Sequence, residues 1–330
     1  MSAGVKSLRV PAVVAGLGML VLGAGCAGLK RWDALEKGPL SLARGGQTPY
    51  AIVGSATPSE AESFAAQELA QYLGRVTGAT FRVQAESEPW PSGHRIFVGQ
   101  TIFAAANGID VTSLGEEEWA IETVGDDVVI AGGRPRGTLY GVYQFLEREV
   151  GCHWPDENTA VVPRLASLEV SRVPRRGRPA FWLRSIYTMA DVDPEKYALF
   201  CARNLANSPD RGGLGARLGY AVRYGSPGGC HTFAAYAANF PKDRPELLSM
   251  DASGKRIGAA DGSGPGGICL MHPEVRRLVL DRLREFIAKD RAAALQAGTP
   301  PPRVYDISQN DNHWMCQCPD CKAVAQREGS

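Results

Sequence analysis

Val304-Tyr-Asp-Ile-Ser-Gln-Asn-Asp-Asn-His-Trp-Met-Cys-Gln-Cys-Pro-Asp-Cys321 opens as a short run of strand character and ends in amides, a carboxylate and three closely spaced thiols. In α/β architectures the carboxyl end of a buried strand is where polar side chains meet a ligand, because the strand is rigid and the loop after it faces solvent. The stretch therefore reads as an active-site rim on an α/β fold, with Asp311 the first acid to test. Beyond it, Ala323-Val-Ala-Gln-Arg-Glu reads as the opening turn of a further helix at the end of the sequence, so a following segment is expected.

Working outward, strand-like and helical patterns alternate upstream of this rim. Residues 181–187, 220–224, 267–271 and 304–308 are strand-like, while 194–207 and 273–294 carry helical periodicity with Pro194 and Pro273 at their starts. Such alternation predicts a parallel sheet, most often a (β/α)8 barrel of about 250 residues. Residues 181–330 have room for about half of one. The predicted fold class is thus α/β: a small α+β accessory domain over 48–165, a Pro- and Arg-rich linker over 166–180, then the first half of a TIM-type barrel.

Local signals define the accessory domain. Tyr50-Ala-Ile-Val-Gly is a strand, and Thr57-Pro58-Ser59-Glu60 supplies a helix cap, Pro at the first helical position and a capping-box acid. Phe64, Leu69, Tyr72, Leu73 and Val76 share one helix face, which Gly78 ends. Strands are expected at 80–83 and 95–99, a hairpin over 119–131 turning at Gly125-Asp126-Asp127, and a second amphipathic helix over 137–150.

Lys6 and Arg9 precede an apolar run from Pro11 to Gly25, then Cys26. A helical run of that length covers roughly 22 Å, short of a hydrocarbon core of about 30 Å, so 1–26 reads as an export signal. Ala24-Gly25 before Cys26 resembles a bacterial lipobox, although Gly23 stands where Leu is usual. Lipidation of Cys26 would make membrane lipid a partner and the cell envelope the location, with simple secretion and an uncleaved anchor as alternatives. Residues 27–47 lack periodicity and read as a tether.

The chain has 36 basic and 35 acidic side chains, a net charge of +1, which lacks the basic excess that phosphate backbones require. Nucleic acid is excluded as a partner on that ground. With Cys26 set aside, seven of the eight cysteines remain, an odd number that an oxidising compartment must accommodate. Cys316, Cys318, Cys321 and His313 offer a tetrahedral zinc set, a structural role. A disulfide to Cys269, Cys230 or Cys201, or reduced thiols, are the alternatives, and no other cofactor is expected.

Several segments together carry a family resemblance: Ala66-Gln-Glu-Leu with Tyr72-Leu and Thr77-Gly78, Gly132-Gly-Arg-Pro-Arg-Gly-Thr-Leu-Tyr-Gly-Val-Tyr-Gln-Phe-Leu-Glu, Gly151-Cys-His-Trp, His231-Thr-Phe, Arg244-Pro-Glu, and Ser308-Gln-Asn-Asp with Cys-x-Cys-x-x-Cys. The sequence over 48–330 resembles domain-of-unknown-function family 4838, bacterial exported proteins related to glycoside hydrolases. Its first module also resembles the non-catalytic domain preceding the barrel in family 20 hexosaminidases and family 67 α-glucuronidases. The resemblance implies a glycan substrate and hydrolysis of O-glycosyl bonds. It also puts Asp311 at the general-acid position and Asn310 at the substrate-orienting one. Where the hexosaminidases carry two adjacent acids, this sequence has an amide and an acid, a departure from substrate-assisted chemistry.

Each candidate has a plainer reading beside the functional one. Asp311 reads equally as a turn or capping residue. Arg184 offers a fork of donors for sugar hydroxyls or a uronate, or a structural ion pair. His231 can contact a sugar or cap a loop, and Trp314 can stack on a pyranose or pack in the core. One acid alone leaves a glycosidase short of its second carboxylate, so a non-catalytic carbohydrate-binding lipoprotein is the alternative function.

Overall fold

The computed structural model describes residues 38–89, 92–172, 174–188, 191–209, 213–260 and 264–329. The export signal, Cys26 and the first part of the tether lie outside them. The chain forms two compact units, the first ending at Gly219 and the second starting at Tyr220. No helix among the described residues is long and apolar enough to cross a membrane.

The first unit contains β1 (Leu40–Arg44), β2 (Tyr50–Gly54), α1 (Glu60–Thr77), β3 (Val83–Ala85), β4 (His94–Val98), α2 (Ile102–Ala106), β5 (Trp119–Val124), β6 (Asp127–Gly132), α3 (Gly137–Phe145), β7 (Ser167–Val170), β8 (Arg175–Gly177) and α4 (Pro194–Arg203). Six strands form a mixed sheet in the order β3-β2-β4-β6-β5-β8. β2 is parallel to β3 and β4, β4 is parallel to β6, and β5 runs antiparallel to both β6 and β8. β1 and β7 pair separately. Ile52, Val53, Phe97, Val129 and Ile130 are fully buried in the sheet, as are Leu69, Leu73, Leu139 and Val142 on the helices. The expected α+β module is therefore present.

Capping falls two residues later than the sequence suggested. Ser59, not Thr57, caps α1, and Glu62, not Glu60, closes the box by accepting from the Ser59 amide. Glu62 wins because its buried carboxylate has further donors: Arg134 through Nε and Nη2 at 3.2 and 2.8 Å, and the Gln100 amide at 3.2 Å.

The Gly132-Gly-Arg-Pro-Arg-Gly137 stretch works as a clasp. A Cβ on Gly133 would sit 2.1 Å from the Gly115 carbonyl oxygen, and one on Gly137 would sit 2.3 Å from that of Glu118, so the backbone leaves no room for a side chain. Its arginines grip the acids on either side, Arg134 on Glu62 and Arg136 on Glu117 at 2.8 Å. The family resemblance thus rests here on backbone packing.

The fold departs from expectation after residue 165. Residues 166–180 carry β7, the short strand that the Ser167-Leu-Glu-Val pattern predicts within the linker, and in addition β8, which joins the six-stranded sheet. Residues 181–187, read as the first barrel strand, belong to the first unit and form no sheet pairing among the described residues. Buried ion pairs hold this region. Arg203 on α4 meets Glu68 on α1 at 2.9 Å, and the Tyr143 hydroxyl donates to the same carboxylate at 3.1 Å. Burial, then the Glu68 charge, pushes the Tyr143 hydroxyl well above the ordinary phenol range, so it remains a donor.

The second unit contains α5 (Phe233–Ala237), β9 (Ser249–Met250), β10 (Arg256–Ile257), α6 (Pro273–Ala297) and α7 (Pro319–Glu328). Phe233, Tyr236, Phe240, Leu247, Ile268, Val275, Val279 and Phe286 make its core, with the Tyr236 and Phe286 rings edge to face at 5.5 Å. The expected parallel series is reduced to one bridge, Tyr224 to Val304, while Ile268 bridges Leu248 in the antiparallel sense. A half-barrel is therefore not established. The described residues form a mixed α/β chain with its six-stranded sheet in the first unit and a two-stranded one, β9–β10, in the second.

Candidate functional site

The segment 304–321 in the second unit carries most of the candidates. Val304 is fastened by its bridge to Tyr224 and by the Gly225 amide, which donates to its carbonyl at 2.8 Å. The chain then meets the start of α5. The Ser308 amide donates to Thr232 Oγ1 at 2.9 Å, while the Thr232 and Phe233 amides donate to the Ser308 carbonyl at 3.2 Å. The Asp306 carboxylate accepts from the Thr232 and Ser308 hydroxyls, and the Tyr236 hydroxyl donates to its carbonyl at 3.1 Å. Asp306 is therefore committed to holding the loop.

Amides flank Asp311 on both sides. Asn310 is buried, and its Nδ2 donates to the carbonyls of Ala260 and Gly264; Asn312 Nδ2 donates to Gly264 as well. These anchors hold the backbone against Ala260 and Gly264 and leave the Asp311 side chain exposed. Asp311 caps no helix: α7 begins after Cys318. Its carboxylate has no hydrogen-bond partner among the described residues, so the turn-or-cap reading has no contact behind it. The Asn310 Oδ1 is buried without a partner among the described residues, while its Nδ2 is spent on backbone. That geometry makes Asn310 a loop anchor; orienting a substrate would fall to its oxygen alone.

His231, with φ 55°, brings its Nδ1 to 3.4 Å from the Gln309 carbonyl oxygen. Gln309 in turn lines an open cleft of about 260 Å³ with Trp314, Met315, Leu270 and Met271. Trp314 is 38% exposed. The structure thus brings His231 and Trp314 to the same rim through Gln309, a residue the sequence reading passed over because an amide in a loop carries no local signal.

Arg184 lies elsewhere. It belongs to the first unit, where its guanidinium meets Glu117 Oε2 at 2.8 Å, donates from Nε to the Leu205 carbonyl at 2.6 Å and also reaches the Phe181 carbonyl. The ring of Tyr140 lies beneath it, 5.8 Å away. The structure shows the ion pair that was the alternative reading of Arg184, with its donors engaged by protein acceptors.

The thiols converge as the spacing suggested, with a different fourth member. The Sγ atoms of Cys269, Cys316, Cys318 and Cys321 all lie within 4.8 Å of one another. His313 is exposed and outside this group. Cys201 and Cys230 are outside it too, and the described cysteines are free thiols. Local spacing could select three ligands, but only the tertiary fold brings up Cys269 from the turn before α6.

Residues 154–330 match a family described as "Domain of unknown function (DUF4838)", and this match spans more than half of the chain. The chain belongs to that family. In this member of family 4838, residues 43–145 also match the description "Glycosyl hydrolase family 67 N-terminus". No curated protein sequence matches it. Among solved structures, a family GH115 4-O-methyl-α-glucuronidase with specificity for decorated arabinogalactans is similar at 17% identity and TM-score 0.42, over 74% of this chain and 35% of its own. The Streptomyces plicatus N-acetyl-β-hexosaminidase is similar at 16% identity and TM-score 0.42, over 88% and 59%. The Flavobacterium johnsoniae chitobiase is similar at 12% identity and TM-score 0.40, over 88% and 46%. The chain thus spans between about a third and three fifths of the length of these proteins.

Proposed function

We propose that this family 4838 protein is a carbohydrate-active enzyme that hydrolyses O-glycosyl bonds. The observation that carries the reading is the rim itself: an exposed carboxylate, Asp311, held between two anchored amides on the same loop as a partly exposed tryptophan. The match to the family 67 N-terminus over 43–145 supports a glycan as the substrate class. On this reading Asp311 protonates the leaving oxygen, Trp314 stacks on a sugar face, and His231 with Gln309 hydrogen-bonds hydroxyls. Asn310 would act by fixing the loop.

One observation favours a binding protein instead. The other acid in this loop, Asp306, is occupied by Thr232, Ser308 and the start of α5, so the rim offers no second carboxylate among the described residues. Incubation with a panel of oligosaccharides, read by released reducing ends and in parallel by calorimetric titration, separates the readings. The enzyme reading predicts new reducing ends. Binding without release would favour the lipoprotein alternative, and neither signal would remove the glycan reading. In the titration, Trp314→Ala is expected to weaken affinity about 2- to 12-fold, the equivalent of about 0.5–1.5 kcal/mol for an aromatic contact.

We further propose that the protein is exported and attached to the membrane through a lipidated Cys26. The basic residues, apolar run and small residues before that cysteine support it. Mass spectrometry of the mature N-terminus is expected to find a lipid-modified Cys26, and cleavage elsewhere with an unmodified cysteine would contradict it.

A further inference from the structure

We propose that Cys269, Cys316, Cys318 and Cys321 form a closed tetrahedral zinc site that pins the rim loop to the turn before α6. The proposal is independent of what the rim binds.

A tetrahedral zinc lies about 2.3 Å from each thiolate, which puts neighbouring sulfurs about 3.8 Å apart. In the structure, Cys269 Sγ is 3.7 Å from Cys318 Sγ and 3.9 Å from Cys321 Sγ, and all four sulfurs fall within 4.8 Å. A disulfide would bring two sulfurs to about 2.05 Å. Four thiols gathered this closely, with two of their separations at the tetrahedral edge length, fit one metal better than two covalent pairs.

One backbone donor addresses the cluster: the Met250 amide donates to Cys316 Sγ at 3.3 Å. Such an outer contact orients a ligand and offsets part of the net negative charge that four thiolates leave around a divalent ion. Cys318 is also the N-cap residue of the ten-residue helix α7, with Pro319 following, so the positive end of a helix dipole points at the cluster.

Ligand softness and coordination number select the metal and its role. Four thiolates suit zinc or iron, and hard cations that prefer oxygen are disfavoured. Four protein ligands leave no open position, and two of them, Cys269 and Cys318, are buried, so the site is structural and not catalytic. Binding converts the thiols to thiolates and releases their protons to solvent, with no redox partner needed. Cys316 and Cys321 also line the cleft beside Trp314. The metal therefore ties the wall of that cleft to the turn from which α6 starts, and protects the thiols of an exported protein from oxidation.

The test uses the purified full chain. Elemental analysis of the wild type is expected to find about one zinc per chain, and cobalt exchange is expected to give the intense visible bands of a tetrahedral cobalt–thiolate centre. Cys269→Ser is expected to lose the metal, whereas Cys230→Ser and His313→Ala retain it. Should Cys269→Ser fail to fold, the wild type decides alone. Protein without zinc whose intact mass reveals disulfides among these cysteines would overturn the proposal, as would reduced protein that takes up neither zinc nor cobalt. A coloured iron centre would overturn the zinc assignment, and loss of metal from His313→Ala the ligand set.

Discussion

Glu117→Ala is expected to lower the stability of the first unit by about 3 kcal/mol, the low end of the range for stripping one partner from a buried ion pair. Glu117 accepts from Arg136 Nε and Asn207 Nδ2 at 2.8 Å each through Oε1, and meets Arg184 at 2.8 Å through Oε2. Its side chain is 12% exposed and that of Arg136 is 4% exposed. Truncation would leave two guanidiniums facing each other in a partly dry pocket. The low end applies because Glu116, 3.5 Å from Arg136, stays in place and Arg184 keeps some contact with water. Glu195→Ala is the control, since it breaks an exposed pair with Arg217, and pairs of that kind contribute about 0–1 kcal/mol. Urea denaturation of the two variants compares them directly. A Glu117→Ala midpoint no lower than that of Glu195→Ala would mean that this carboxylate does not hold residues 181–219 to the sheet unit.

That hub also explains why part of the fold was readable and part was not. Helices α1 and α3 and the β5–β6 hairpin announce themselves locally, through apolar spacing, a capping serine, left-handed glycines at 78 and 151 and the turn at Gly125. Residues 181–187 have the composition of a strand. Strand formation nevertheless depends on a partner, and Arg184 instead finds Glu117, distant in sequence, with no motif to mark the pairing. The same limit applies to 267–271 and 304–308, where apolar runs deliver single bridges.

The site repeats the pattern. The order of polar residues in 306–314 correctly marks a solvent-facing rim with Asp311 exposed, because a loop leaving a core residue must put its side chains somewhere wet. Spacing along the chain made His313 look like a zinc ligand, yet Cys269, delivered by the turn before α6, occupies that place among the sulfurs. The chemistry was legible as residue types, and the partners were decided by tertiary contacts.

The second large effect concerns Asp311. If it is the general acid, Asp311→Asn removes the transferable proton while keeping size and polarity, and turnover should fall about 10²- to 10⁴-fold on a natural glycan. The loss should be much smaller on aryl glycosides whose leaving groups need little protonation. Asn310→Ala is expected to act differently, by releasing its hold on Ala260 and Gly264, so it should lower stability as well as turnover. Comparing thermal unfolding with kinetics separates the two residues.

The most direct test of the carbohydrate-active reading is therefore the turnover of wild type and Asp311→Asn on the same natural oligosaccharide, with folding checked in parallel. The account predicts hydrolysis by the wild type and a loss of about 10²- to 10⁴-fold in an equally stable variant. A wild type that releases no reducing ends would contradict the carbohydrate-active reading, and equal turnover by the two proteins would contradict the role of Asp311.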